Sequence, residues 1–328
     1  MKWLKIFIII FELLPFRNSF AQTHIDSTEL FFHPDSLRTI VEFLASDSLE
    51  GRLTGSSGCL KAAAFIAIEF QKAGLKPIAG LDGFFVPVNN GWGNVVGGIQ
   101  GRSKSDEVII FSAHYDHVGT LKTNPYPNRG GNAAVRKGDT IYNGANDNAS
   151  GISAIISLAK YFTKHKNNER TLLFVAFAGE EQGLKGSSHF VSYMEPSLIK
   201  AVINIEMIGR KNGKDKWPYM TGSTLSDLYS ILNQQLYYIE PKKYRRNFIS
   251  KDRFANENLF ERSDNYPFAK LGIPAHTIMT TAPTDLYYHS RSDEASTLDY
   301  EFMSNIIKAI AISCQGLIEG TITPTRIK

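Results

Sequence analysis

Three segments of the chain, 107–113, 171–177 and 201–205, are almost unbroken apolar runs. Short runs without polar alternation read as strands covered on both faces, as in a parallel sheet held between helix layers. Between the first two, Ile152, Ile155, Ile156, Ala159 and Phe162 fall on one helical stripe, which predicts a helix over 149–162 opened by Asn and Asp residues suited to capping. A second helix is predicted over 183–194, giving βαβαβ. Upstream, the pattern predicts helices over 35–47 and 57–74, the latter ending near Gly74, and a strand over 94–99. Downstream it predicts a helix over 225–238, a short helix over 266–271, a strand over 275–279, a loop through His289 and a C-terminal helix over 300–317.

Together these elements describe a single α/β domain: a mixed, mostly parallel sheet with helices on both faces. The segment 240–262, with Lys242, Lys243, Arg245, Arg246, Lys251 and Arg253, is the least regular part and reads as a solvated surface loop, with a role in gripping acidic substrates as the alternative.

With 43% hydrophobic residues and no linker or repeat, the chain has material for one large core, taken as residues 22–328. Residues 1–21 read as a signal peptide: Lys2 and Lys5, an apolar stretch, then Ser19-Phe20-Ala21. Glu12 interrupts the stretch, which falls short of the roughly 20 residues a spanning helix needs. The expected location is therefore secreted or periplasmic, without stable membrane insertion. A net charge of +4 gives no reason to expect nucleic acid as a partner. Cys59 and Cys314 permit a disulfide in an exported protein, but two thiols on predicted helices are equally read as buried and free.

Chemistry-bearing residues cluster where the predicted strands end. Ligands of such sheets gather at the carboxyl ends of the strands. His114 ends the first apolar strand, Glu180 and Glu181 follow the second, and Glu206 follows the third. Asp147 lies at a helix start within Asn143-Gly-Ala-Asn-Asp-Asn-Ala-Ser-Gly151, and His289 lies in the last loop before the C-terminal helix. Singly, each has an ordinary explanation as a satisfied polar residue or a solvated first turn. Jointly they concentrate more acid than a folded interior tolerates without a cation.

The same order resembles metallopeptidase family twenty-eight, the two-zinc aminopeptidases related to glutaminyl cyclases and glutamate carboxypeptidases. The matching stretches are Leu44 to Gly55, Ser112-Ala-His-Tyr-Asp-His-Val-Gly119, Asn143 to Gly151, Ala178 to Leu184, Asn204 to Gly209 and Tyr288 to Asp293. The resemblance implies two zinc ions per chain: one held by His114 and Glu206, the other by Glu181 and His289, with Asp147 between them. It further implies Glu180 as general base, Asp116 as the carboxylate that orients a ligand imidazole, and Tyr288 as a partner for the oxyanion. Glu206 stands where the family usually has Asp, and Asn265 where His is common.

Imidazole and carboxylate suit zinc, which activates water and polarises a carbonyl, while a nearby Glu moves the proton to the leaving amine. The expected activity is removal of the N-terminal residue from peptides with a free N-terminus. A glutaminyl cyclase and a metal-free binding protein of the same fold are the alternatives, and a carboxypeptidase would be revealed by a basic pocket. His117, His189 and His276 are read as packing or surface residues.

Overall fold

The computed structural model describes residues 31–78, 81–89, 91–127, 130–211, 217–281 and 284–328; the leader read over 1–21 lies outside them. The predicted apolar runs form the centre of an eight-stranded sheet. Its strands are β1 (Phe85–Asn89), β2 (Trp92–Ile99), β3 (Lys104–His114), β4 (Arg170–Phe177), β5 (Ile199–Ile205), β6 (Tyr219–Met220), β7 (Ser250–Lys251) and β8 (Ala275–Met279). Their order is β1-β2-β4-β3-β5-β8-β6-β7. The inner four, β4, β3, β5 and β8, run parallel, while β2 joins β4 and β6 joins β8 antiparallel.

Successive residues of the inner strands feed two different cores, which is why these strands show no polar alternation. Ile109, Phe111, Leu172, Phe174, Ala201 and Ile203 pack on one face with α1 (Pro34–Leu44), α2 (Ser57–Lys72), α3 (Ser150–His165) and α7 (Tyr300–Ser313). Ile110, Leu173, Val175, Phe177 and Val202 pack on the other with Phe190 of α4 (Lys185–Ser192) and Phe268 of α6 (Tyr266–Ala269). The remaining helices are α5 (Leu228–Ile239) and α8 (Gln315–Ile318), the latter separating the end of the expected C-terminal helix from α7. Cys59 and Cys314 are buried and free. Among the described residues no helix is long and apolar enough to cross a membrane.

One segment differs from its expectation. Within 240–262, Tyr244, Phe248, Ile249 and Leu259 are buried, and β7 pairs with β6. These aromatic and aliphatic positions lie scattered among cations without period, so the sequence pattern hides them. The segment is therefore partly core rather than a solvated loop.

Candidate metal centre

The parallel strands end side by side. His114 is opposite Phe177 in the β3–β4 register, and Ser112 is opposite Asn204 in the β3–β5 register. His114, the turn after β4 carrying Glu180 and Glu181, and Glu206 just past β5 therefore meet at one edge.

Asp147 reaches that edge from a distorted helical turn, Ala145–Ala149, that leads into α3. Its neighbours are fastened to the end of β5. Asn148 donates to Ile205 O at 3.0 Å and accepts from Met207 N–H at 3.2 Å. Asn146 accepts from Gly209 N–H at 2.7 Å and donates to Thr281 Oγ1 at 2.9 Å. From the other side, Asp293 accepts the N–H groups of Asn146 and Asp147 and pairs with Arg210 at 2.9 Å.

Two groups of ligating atoms result, sharing Asp147. His114, Asp147 and Glu206 form one; His117, Asp147, Glu181 and His289 form the other, the atoms of each lying within 4.8 Å of one another. His114 Nε2 lies 3.3 Å from Asp147 Oδ1. His289 Nε2 lies 3.2 Å from Asp147 Oδ2 and 3.0 Å from Glu181 Oε1. Such spacings match the roughly 3.3 Å edge of a tetrahedron built on zinc–ligand bonds of about 2.0–2.1 Å. Glu206, despite its extra methylene, reaches the first group, and its Oε2 accepts from Ser263 Oγ.

The protein charges alone are badly balanced. Burial pushes the Glu180 carboxyl well above the usual range despite His114, and Glu181, Glu206 and Asp264 push it further. Burial likewise raises Glu206. Burial opposes ionisation of Glu181 too, yet His289 and His117 hold it down to about 2. For His289, burial lowers the pKa but Glu181 and Asp147 prevail and lift it to about 10. His114 Nε2 is buried and has no hydrogen-bond partner among the described residues. Clustered buried carboxylates around an imidazole nitrogen that faces Asp147 Oδ1 at 3.3 Å without a directed hydrogen bond fit a cation-binding site, and the mixed nitrogen and oxygen donor set suits zinc.

Asp116 is fully buried and orders its surroundings. Its Oδ1 accepts Glu180 N–H at 3.2 Å and lies 3.8 Å from His114 Nδ1; its Oδ2 accepts from Thr54 Oγ1 at 2.7 Å. His114 Nδ1 also meets Asp116 O at 3.2 Å. Tyr288 stacks on His289 at 4.0 Å between ring centroids, with its hydroxyl 3.4 Å from Arg262 Nη2. Asn265 donates to Phe260 O and accepts from Thr277 Oγ1. Glu180, Glu181, Asp147, Glu206, Tyr288 and His289 all line a cavity of about 690 Å³.

Seven of the eight residues singled out in the sequence thus line this cavity or supply the ligating groups, and the eighth, Asp116, lies behind them. Of the three histidines set aside, His276 is buried in β8 against Ser226 and Thr221, and His189 packs on Tyr193. His117, read as a packing or surface residue, is fully buried with Nδ1 3.1 Å from Glu181 Oε1, among the second group of ligating atoms. Its place three residues past the end of β3, in His114-Tyr-Asp-His117, was the available signal.

An α/β sheet whose strand ends converge on two carboxylate-bridged imidazole and acid groups defines the architecture of a metal-dependent hydrolase. Residues 94–313, more than half of the chain, match Peptidase family M28, and the chain belongs to that family. It is 25% identical over 235 residues to Aminopeptidase YwaD of Bacillus subtilis, covering 69% of this chain and 44% of that protein. It is 33% identical over 123 residues to a probable zinc metalloprotease of Pyrenophora teres f. teres, covering 37% of this chain and 23% of that protein. The chain therefore spans less than half the length of these relatives. The Legionella pneumophila LapA aminopeptidase has the same fold, with TM-score 0.68 and 22% identity over 90% of this chain and 75% of that one. Porphyromonas gingivalis glutaminyl cyclase also shares it, with TM-score 0.60 and 17% identity over 89% and 99%.

Proposed function

We propose that the chain is a two-zinc aminopeptidase that hydrolyses the first peptide bond of substrates with a free N-terminus. The observation that carries this reading is the sharing of Asp147 by the two ligand groups, with Glu180 at the same cavity wall. Zinc bound there would supply Lewis acidity and a more acidic water. His114, Asp147 and Glu206 would hold one ion, and Asp147, Glu181 and His289 the other.

The chain's own residues perform the rest. Glu180, at the cavity wall, is placed to accept a proton from the attacking water and return it to the leaving amine. Asp116 fixes the Glu180 backbone and the His114 ring. The Tyr288 hydroxyl, at the cavity wall, donates to the carbonyl oxygen as negative charge develops on it. The carboxylates of the cavity give an α-ammonium group a favourable place, and about 690 Å³ accommodates the end of a peptide. The leader read over 1–21 supports a secreted or periplasmic enzyme.

A second reading has its own observation: Arg262 and Lys270 also line the cavity and would suit a substrate carboxylate, as in a carboxypeptidase. The test is a panel of aminoacyl-p-nitroanilides, N-blocked peptides with free C-termini, and N-terminal glutaminyl peptides. Each is assayed before and after chelation, with zinc restored, and with Glu180→Gln. Zinc-dependent cleavage of the anilides, lowered by about 10²–10⁴ in the variant, supports the aminopeptidase. Turnover confined to the blocked peptides or to glutaminyl cyclisation sinks it.

A further inference from the structure

We propose that His117 is a fourth protein ligand, closing with Asp147, Glu181 and His289 one zinc site beside an open site held by His114, Asp147 and Glu206. The inference rests on the two-zinc reading above and deepens it. His117 Nδ1 lies 3.1 Å from Glu181 Oε1 and 3.8 Å from Asp147 Oδ2, spacings of the same order as those made by His289. The two imidazoles meet edge to face, with ring centroids 5.4 Å apart. His117 Nε2 is buried without a hydrogen-bond partner among the described residues, so the ring addresses its surroundings through Nδ1 alone.

The ring is held there by a segment that the catalytic roles leave unexplained. Glu50, Gly51 and Arg52 are three consecutive residues with left-handed backbone, at φ 49°, 68° and 48°. Such a run costs energy at Glu50 and Arg52 and persists only where surroundings impose it. It delivers Arg52 O to His117 N–H at 3.1 Å and pairs Leu53 with His117 in a parallel bridge. The buried Arg52 guanidinium then donates to Tyr115 O at 2.8 Å and Gly144 O at 2.9 Å, tying the His117 turn to the Asp147 turn. A Cβ at Gly144 would lie 2.6 Å from His117 ring carbons, so glycine there leaves room for the imidazole.

Four protein ligands make a closed site, whereas three leave a position for water or substrate. The two ions would then differ in kind: one fixed by the protein, the other exchangeable on its open side.

The test pairs X-ray absorption at the zinc edge of the wild-type enzyme with zinc titration of His117→Gln and His117→Ala against a competing chelator. The expected result is three imidazoles shared between two zinc ions. His117→Gln, which keeps a hydrogen-bond donor for Glu181, weakens one site beyond the roughly 10–100-fold that losing an outer hydrogen-bond partner costs, and leaves the other unchanged. Two imidazoles in the wild type, or two near-wild-type affinities in His117→Gln, overturns the proposal and makes His117 an orienting partner of Glu181. The wild-type spectrum decides the matter even where a variant fails to fold. A wild-type enzyme that binds fewer than two zinc ions brings down the two-zinc reading itself, an outcome distinct from both.

Discussion

Asp293 Oδ2 accepts the backbone N–H of Asp147 at 3.1 Å. The carboxylate that would sit between two metal ions is thereby aimed from a loop 146 residues away. The Asp293 carboxylate also receives Asn146 N–H and pairs with Arg210, and it is fully buried. Asp293→Ala leaves Arg210 without one of its two acids and two amides without an acceptor. Removing one member of a buried pair costs about 3–5 kcal/mol. Urea unfolding of zinc-loaded wild type and variant measures it, and a difference under about 1 kcal/mol would show that water replaces Asp293 freely.

Asp116 joins His114 to Glu180 without facing the cavity. Asp116→Ala is expected to lower zinc affinity by about 10–100-fold, the usual effect of losing a carboxylate behind a ligand histidine. Competition with a chromogenic chelator reads this directly. Unaltered zinc affinity with lost turnover would assign Asp116 to Glu180 alone.

The centre of the fold was legible because burial on both faces leaves a plain mark: 107–113, 171–177 and 201–205 became β3, β4 and β5 within a few residues. The edges were not. β1 has alternating exposure and a proline, and β6 and β7 are two residues each, too short for any periodicity.

For the site, residues placed directly by strand ends were readable, since topology alone carries His114, Glu181 and Glu206 to one edge. His117 was not readable in that way. Its position depends on a pairing with Leu53, 64 residues earlier, and on left-handed backbone at Glu50 and Arg52 that no propensity announces. The stretch Leu44 to Gly55 stood out as a motif, but its physical purpose appears only once Arg52 is seen tying the turn of His117 to the turn of Asp147.

Gly51 tests that purpose. It has φ +68°, and a Cβ would lie 2.1 Å from Gly119 O and 2.6 Å from Tyr142 O, both rigid backbone. Gly51→Ala must therefore displace the turn that carries His117. A loss of more than about 2 kcal/mol is expected from strain and clash together. Denaturant titration checks it, and a neutral outcome would mean that the turn is free to shift.

Glu294 supplies a pH dependence away from the ligands. Burial raises its carboxyl, and Asp139, Asp47 and Asp293 raise it further against Arg136, to about 7. Glu294 thus binds its proton more tightly in the folded chain than in the unfolded one. Its contribution to stability is complete below the ordinary carboxylate pKa and is lost as pH climbs through about 7. Glu294→Gln keeps the side chain neutral at every pH and removes that loss. Melting temperatures of both proteins, measured from pH 4 to 9 with zinc held constant, should converge in acid, with the variant pulling ahead as pH approaches and passes 7. Parallel curves across the range would show that Glu294 ionises in the folded protein as readily as in the unfolded chain, and that Arg136 already neutralises the neighbouring acids.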